Sequence, residues 1–326
     1  MAILKLKPSF QSYIWGGEKL KKEFHKDYDG PVLAESWELS CHPDGLSRIA
    51  EGEFEGKTLI EFIEWEGKRM LGKNCGAFSN FPVLIKFIDA LDNLSIQVHP
   101  SDAYAISNEG QYGKTEMWYI AECEEDAYIY YGFKKQIGLE EFKKRILEHT
   151  LLEVLNKIPV KKGDSYFIDA GTLHAIGKGM VVAEIQQNSN VTYRVYDYGR
   201  KDKDGNERDL HIEKALKVTD RNPKVRSKTF PPHLGVCKYF TVDKLMLDGK
   251  YMNSVKGRVN ADSFLHFLIL EGSGSLRAET CTEFRKGDSI LVTASTGEYE
   301  ILGNCEALVT SIPYNSGLGK EEDAYE

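Results

Sequence analysis

The chain has 326 residues, enough for two domains at the usual size of roughly 100–150 residues, since one core stops growing near about 250–300. With 41% hydrophobic and 28% charged residues it is a folding sequence rather than a disordered one. Its 42 Lys and Arg against 50 Asp and Glu leave a net charge of −8 without any long basic run, which argues against nucleic acid and anionic membranes as partners.

The apolar runs, such as Phe81–Ile85 and Phe264–Leu270, are far shorter than the roughly 20 residues of a membrane span. The start, Met1-Ala-Ile-Leu-Lys-Leu-Lys-Pro8, lacks the basic, apolar and small-residue regions of a secretory leader. Six cysteines at 41, 75, 123, 237, 281 and 305 form no Cys-x-x-Cys pair and read as reduced thiols. A cytoplasmic protein is expected.

Along the chain, apolar residues at helical spacing predict a helix over Thr58–Leu71, then another over Leu139–Leu155 and a third over His211–Val218. All three are expected to pack against sheets. Between them, β-branched and aromatic segments predict strands at Val83–Asp89, Leu94–His99, Met117–Glu122, Tyr128–Gly132, Ser165–Ile168, Val181–Gln186 and Thr192–Tyr198. The polar, proline-marked stretch Asp220–Pro232 reads as a linker. Beyond it come further strands at Cys237–Leu245, Phe264–Leu270, Gly274–Ala278, Ser289–Thr293, Tyr299–Leu302 and Ala307–Ile312, and a tail, Gly317–Glu326, expected to fray. The expectation is a mainly β chain of two β domains, over 1–225 and 226–326.

Only eight histidines occur, and two stand in informative surroundings. In Leu94-Ser-Ile-Gln-Val-His-Pro100, strand alternation puts Gln97 and His99 on one face and Ile96 and Val98 on the other. In Gly163-Asp-Ser-Tyr-Phe-Ile-Asp-Ala-Gly-Thr-Leu-His174 a turn at Gly171 returns the chain so that His174 points back. Glu116, in Gly113-Lys-Thr-Glu-Met-Trp-Tyr119, opens the next strand. Zinc takes imidazole and carboxylate ligands, and about three of them leave positions open for chemistry. His99, Glu116 and His174 are such a set, and Gln97 adds a neutral oxygen that preserves Lewis acidity. Taken singly, each of these residues has an ordinary structural explanation; their joint spacing singles them out.

The run Gly163-x5-Asp169-x-Gly171-x2-His174 resembles the second cupin motif, with Asp169 where proline is usual. Gln97-x-His99 followed by Glu116 resembles the first, its leading His replaced by Gln and its loop lengthened. That variant resembles the type I phosphomannose isomerase family in its short bacterial form. Tyr13-Ile-Trp-Gly-Gly17, Ala34-Glu-Ser-Trp-Glu-Leu-Ser40, the long block Pro82–Asp102, Gly171-Thr-Leu-His-Ala175 and Glu184–Arg200 fit the same family, from the N-terminus to about residue 220. Around Gly177-Lys-Gly179 the spacing between His174 and Glu184 departs from longer relatives by an extra residue.

The resemblance implies two cupin, or jelly-roll, domains with a few packing helices. It also implies one Zn2+ held by Gln97, His99, Glu116 and His174, and interconversion of mannose 6-phosphate and fructose 6-phosphate through an enediol(ate). Arg194 aligns with the family's active-site arginine, a permanently charged planar fork suited to developing negative charge. Lys114 and Glu184 are the candidate acid/base groups, Glu184 alternatively orienting Arg194. Lys86, Lys114 and Arg194 are the candidate substrate contacts. Trp15, Trp37 and Trp118 are candidates for a sugar-stacking face or for core packing. The segments Glu271–Leu276 and Arg285–Glu298 echo the cupin turns with no histidine where His174 would recur, so the second cupin is expected to be metal-free. Competing readings are a cupin Fe(II) oxygenase built on His99, Glu116 and His174 and a sugar-phosphate-binding cupin without turnover. The sequence is silent on oligomeric state.

Overall fold

The structure, a computed structural model, describes residues 2–201, 205–224 and 228–314. The expected boundary at 225/226 and the tail from Gly317 lie outside the described residues. The architecture is mainly β, as expected, and its core elements form three large sheets.

Two of these sheets make a sandwich. A six-stranded sheet runs in the order Ser165–Ile168, Glu116–Cys123, Met180–Gln187, Val83–Ala90, Glu35–Leu39, Ser9–Gln11. A five-stranded sheet runs Leu155–Pro159, Tyr128–Phe133, His174–Ile176, Ile96–Val98, Tyr193–Tyr196. Neighbouring strands pair antiparallel throughout both.

The strand Val83–Ala90 shows how alternation builds the molecule. Val83, Ile85 and Phe87 point outward into a core shared with Phe240, Phe264, Leu268 and Leu291 of the C-terminal half. Ile88 and Ala90 point inward, against Ile129, Tyr131 and Ile176 of the facing sheet. Both faces are covered, so the strand is apolar nearly throughout. Each outward side chain contributes about 1.5–3 kcal/mol by leaving water. Lys86 breaks the pattern on the inner face, and this is the end of the sandwich that holds polar groups.

The five-stranded sheet is covered outside by helix Leu139–Leu147, through Phe142 and Ile146, and by Ala215 of helix Ile212–Val218. The predicted helix over Leu139–Leu155 is therefore shorter than expected. It stops at Leu147, and Leu151–Val154 is a 3-10 turn leading into the strand that begins at Leu155. Leucines continue across all three elements, so apolar spacing could not mark the breaks. Thr58–Leu71 is also divided. Thr58 caps the helix Leu59–Glu66, its hydroxyl accepting from the Glu61 N–H at 3.2 Å while Glu61 accepts from the Thr58 N–H at 2.7 Å. At Gly67, φ is +89° and the helix ends. A further helix, Asp102–Glu109, was not predicted; it buries only Ala105 and has almost no apolar stripe.

The third sheet holds the C-terminal strands Gly235–Val236, Thr241–Asp248, Ser254–Val259, Leu265–Arg277, Cys281–Arg285, Ser289–Val292 and Gly297–Ser311. Strand Ile3–Lys7, from the far end of the chain, pairs into it with Ile3 opposite Val292. The segments Phe264–Leu270 and Gly274–Ala278, predicted as separate strands, form one, and so do Tyr299–Leu302 and Ala307–Ile312. The intervening glycines mark close approach of backbones rather than turns: a Cβ on Gly274 would stand 1.9 Å from the Leu302 carbonyl oxygen. His266 is fully buried here, its Nε2 2.8 Å from Ser289 Oγ. Among the described residues, no helix is long and apolar enough to cross a membrane.

Candidate active site

Antiparallel register assembles the site from both sheets. In the five-stranded sheet Gln97 stands opposite His174 on one side and Arg194 on the other. In the six-stranded sheet Glu184 stands between Lys86 and Trp118, while Glu116 is opposite Gln186. Directly opposed residues share a face, so each sheet turns a row of polar side chains into the sandwich. The extra residue near Gly177–Gly179 lies in the turn between strands His174–Ile176 and Met180–Gln187.

His99, Glu116 and His174 bring donor atoms within 4.8 Å of one another, and all three are buried. His99 Nδ1 lies 2.9 Å from the Val191 carbonyl oxygen, and His174 Nδ1 lies 2.8 Å from that of Thr172. Because a carbonyl can only accept, each Nδ1 carries the proton and each Nε2 presents a lone pair. These lone pairs face Glu116, His99 Nε2 at 3.5 Å from Oε2 and His174 Nε2 at 3.4 Å from Oε1. His174 Nε2 and Glu116 Oε1 make no hydrogen bond. Burial pushes the His174 imidazole down to about 4 and holds His99 well below its usual value, so both are neutral. Two imidazole lone pairs and a carboxyl converging in a buried space are a donor set for a cation, and they fit a divalent ion with imidazole and carboxylate preference.

Lys114 enters the same space. Its Nζ is 2.5 Å from Glu116 Oε2, 3.1 Å from His99 Nε2 and 3.5 Å from Glu184 Oε1. Glu184 also accepts from Trp118 Nε1 at 3.1 Å and pairs with Lys86 at 3.1 Å. Burial and the nearby Glu184 push the Glu116 carboxyl up to about 8. For Glu184 burial acts in the same upward direction, but Lys114 and Lys86 outweigh it and hold the carboxyl below its usual range. Two neighbouring carboxylates are thus driven apart in acidity, an arrangement typical of proton-handling sites.

A cavity of about 240 Å³ opens beside this cluster, lined among others by Trp15, Lys86, Gln97, Lys114, Glu184 and Arg194. Arg194 donates from Nη1 to the Asp209 carbonyl at 2.8 Å and from Nε to Ser95 Oγ at 3.3 Å. The predicted residues therefore converge, with differences of detail. Glu184 contacts the two lysines rather than Arg194. Lys86 is only 4% exposed and is clamped between Glu184 and Glu35, 3.2 Å away. Trp37 and Trp118 are fully buried, leaving Trp15 on the cavity wall.

The cavity also contains residues that the sequence had not singled out, including Tyr13, Glu35, Asn190 and Arg208. Tyr13 and Glu35 lie within family-like blocks, which was their only signal. Arg208 follows those blocks and had none.

The family model described as "Phosphomannose isomerase type I, catalytic domain" matches residues 3–125, and "Mannose-6-phosphate isomerase, cupin domain" matches residues 230–312. The mannose-6-phosphate isomerase ManA of Bacillus subtilis is 37% identical over 322 residues, covering 95% of this chain and 98% of that protein.

The chain belongs to the type I phosphomannose isomerase family.

The mannose-6-phosphate isomerase of Streptococcus mutans is 36% identical over 316 residues, covering 94% of this chain and 97% of its own length. The crystal structure of the mannose 6-phosphate isomerase from Bacillus subtilis superposes with a TM-score of 0.85 at 35% identity, covering 95% of this chain and 99% of that one. Phosphomannose isomerases are aldose–ketose isomerases, and that is the enzyme class of this chain. The cupin architecture expected from the sequence is likewise the family's.

Proposed function

We propose that the isomerase works on mannose 6-phosphate and fructose 6-phosphate through an enediol(ate), using one Zn2+ held by Gln97, His99, Glu116 and His174. The observation that carries the metal reading is the convergence of two proton-free Nε2 atoms on one buried carboxylate. Gln97, opposite His174 and on the cavity wall, is placed to add a neutral oxygen. When bound, the ion supplies Lewis acidity toward the substrate's oxygens.

The chain's own residues divide the remaining work. Isomerisation moves one proton between C1 and C2 and another between O1 and O2. Lys114 is the group we assign to the carbon proton, because its Nζ lines the cavity beside the metal donors and Glu184. As the amine it takes the proton from one carbon and, as the ammonium, returns it to the other. Glu184, held ionised by Lys86 and Lys114, balances the ammonium and positions it. Arg194 faces the oxygens, where its guanidinium stabilises negative charge without giving up its proton. Lys86, enclosed by Glu35 and Glu184, acts on Glu184 rather than on substrate.

The Fe(II) oxygenase alternative has no use for Lys114 or Arg194, both on the cavity wall. A cytoplasmic setting belongs to the same reading. The test is a coupled assay of fructose 6-phosphate formation from mannose 6-phosphate with and without chelator. Turnover abolished by chelator and restored by Zn2+ is expected; turnover indifferent to chelator overturns the metal assignment.

A further inference from the structure

We propose that Arg208 is the guanidinium that receives the substrate's phosphate and that Asp197 is the residue that positions it. The proposal rests on the sugar-phosphate reading above and assigns an orientation within that site.

Among the described residues, four cationic side chains line the cavity: Lys86, Lys114, Arg194 and Arg208. The two lysines are buried, and carboxylates already answer their charge. Lys86 touches Glu35 and Glu184, and Lys114 touches Glu116 and Glu184. The charge of both ammonium groups is therefore answered within the cluster, and neither is left over for a phosphate dianion. The arginines are held differently.

Asp197, 6% exposed, grips Arg208 along one edge, accepting from Nε at 2.8 Å and from Nη2 at 2.6 Å. This bidentate pair fixes the guanidinium plane and leaves Nη1 outside it. Arg200 shares the same carboxylate, but its Nη1 bonds the Asn93 carbonyl and lies 3.5 Å from Asp92. Arg200 is not part of the cavity wall. Asp197 therefore holds two guanidinium groups, of which Arg208 lines the cavity.

The chain segment carrying Arg208 is tied directly to Arg194. The His211 N–H donates to the Arg194 carbonyl at 2.7 Å, and Arg194 Nη1 donates to the Asp209 carbonyl at 2.8 Å. Two cationic forks are thereby linked on the wall of one cavity. Burial and the nearby Arg208 both lower the Arg194 guanidinium, while Asp197 raises it. With the phosphate at Arg208, the other end of the sugar extends toward Lys114 and the metal donors. The phosphate then acts as a handle, raising affinity without touching the carbons that react.

The test uses the full chain loaded with Zn2+. Arg208→Ala is expected to raise KM for mannose 6-phosphate by roughly 10–100-fold, the scale of a lost charge-assisted contact, with a much smaller change in kcat. The inhibition constant of inorganic phosphate should rise by a similar factor. Arg208→Lys should recover part of the loss, because the charge remains without the fork. Asp197→Asn, which loosens the grip, should give a smaller rise in both quantities. Should Arg208→Ala lose its thermal unfolding transition, Arg208→Lys is read in its place, with a smaller rise expected in the same two constants. Unchanged KM and phosphate inhibition, or a loss confined to kcat, overturns the assignment. Absence of mannose 6-phosphate turnover in the unsubstituted chain would instead remove the substrate reading, while calorimetry with inorganic phosphate on the unsubstituted and Arg208→Ala proteins still decides the role of Arg208.

Discussion

Lys114 Nζ lies 2.5 Å from Glu116 Oε2, so the group assigned to proton transfer and one assigned to metal binding share an oxygen. Both a divalent cation and the ammonium draw on that carboxylate, and the lysine also has Glu184 within reach at 3.5 Å. The two functions of the site are therefore coupled through a single side chain.

Lys114→Met separates them. The thioether keeps most of the stem's volume but can carry no proton. We expect kcat to fall by about 10²–10⁴-fold, the usual worth of a positioned acid/base group. Zinc content, measured by elemental analysis after dialysis, should be undiminished, because the substitution removes a competitor for Glu116 and no ligand. Zinc-loaded Lys114→Met enzyme with near-normal kcat would give the carbon proton to another group.

Arg194→Ala should cut kcat by roughly 10²–10³-fold, the range for removing one donor to a developing oxyanion. Zinc should remain bound, since Arg194 bonds Ser95 and Asp209 and none of the three clustered donors. Parallel loss of zinc and activity would place Arg194 in support of the metal site instead.

His266 gives the C-terminal half a pH-dependent stability. Burial depresses its imidazole from 6.5 to about 3, so between those values the unfolded chain binds a proton that the folded chain does not. Stability on this account is fully present above about pH 6.5 and is lost as pH falls toward 3. The limiting slope is about 1.4 kcal/mol per pH unit. His266→Gln, whatever it costs at pH 7, should flatten the fall in unfolding free energy between pH 6 and pH 5 by up to that amount. Denaturant titrations at the two pH values measure it, and equal slopes in both proteins would rule the linkage out.

Much of the site could be read from local patterns because its residues sit on short strands with strict alternation. Gln97 is separated from His99 by Val98, and Ile96 and Val98 are buried on the other side against the helices. The Gly171 turn, with φ at +84°, returns the chain toward His174 as its motif suggested. Glu35 and Arg208 could not be placed in the same way. Glu35 reaches Lys86 from a strand registered against Val83–Ala90, and Arg208 is set by bonds to Asp197 and by its neighbours' bonds to Arg194. Neither pairing leaves a trace in the spacing of residues.

The sequence by itself determined the mainly β character and the family, because each is carried by side-chain chemistry at short range. Only the tertiary structure decided that Ile3–Lys7 completes the sheet of the opposite end of the chain. It also decided that Lys86 is enclosed by two carboxylates and that Arg194 and Arg208 share the cavity. Those outcomes depend on which distant strands and loops meet, and the free energy of such meetings comes from burial and charge pairing across the folded core rather than from any local preference.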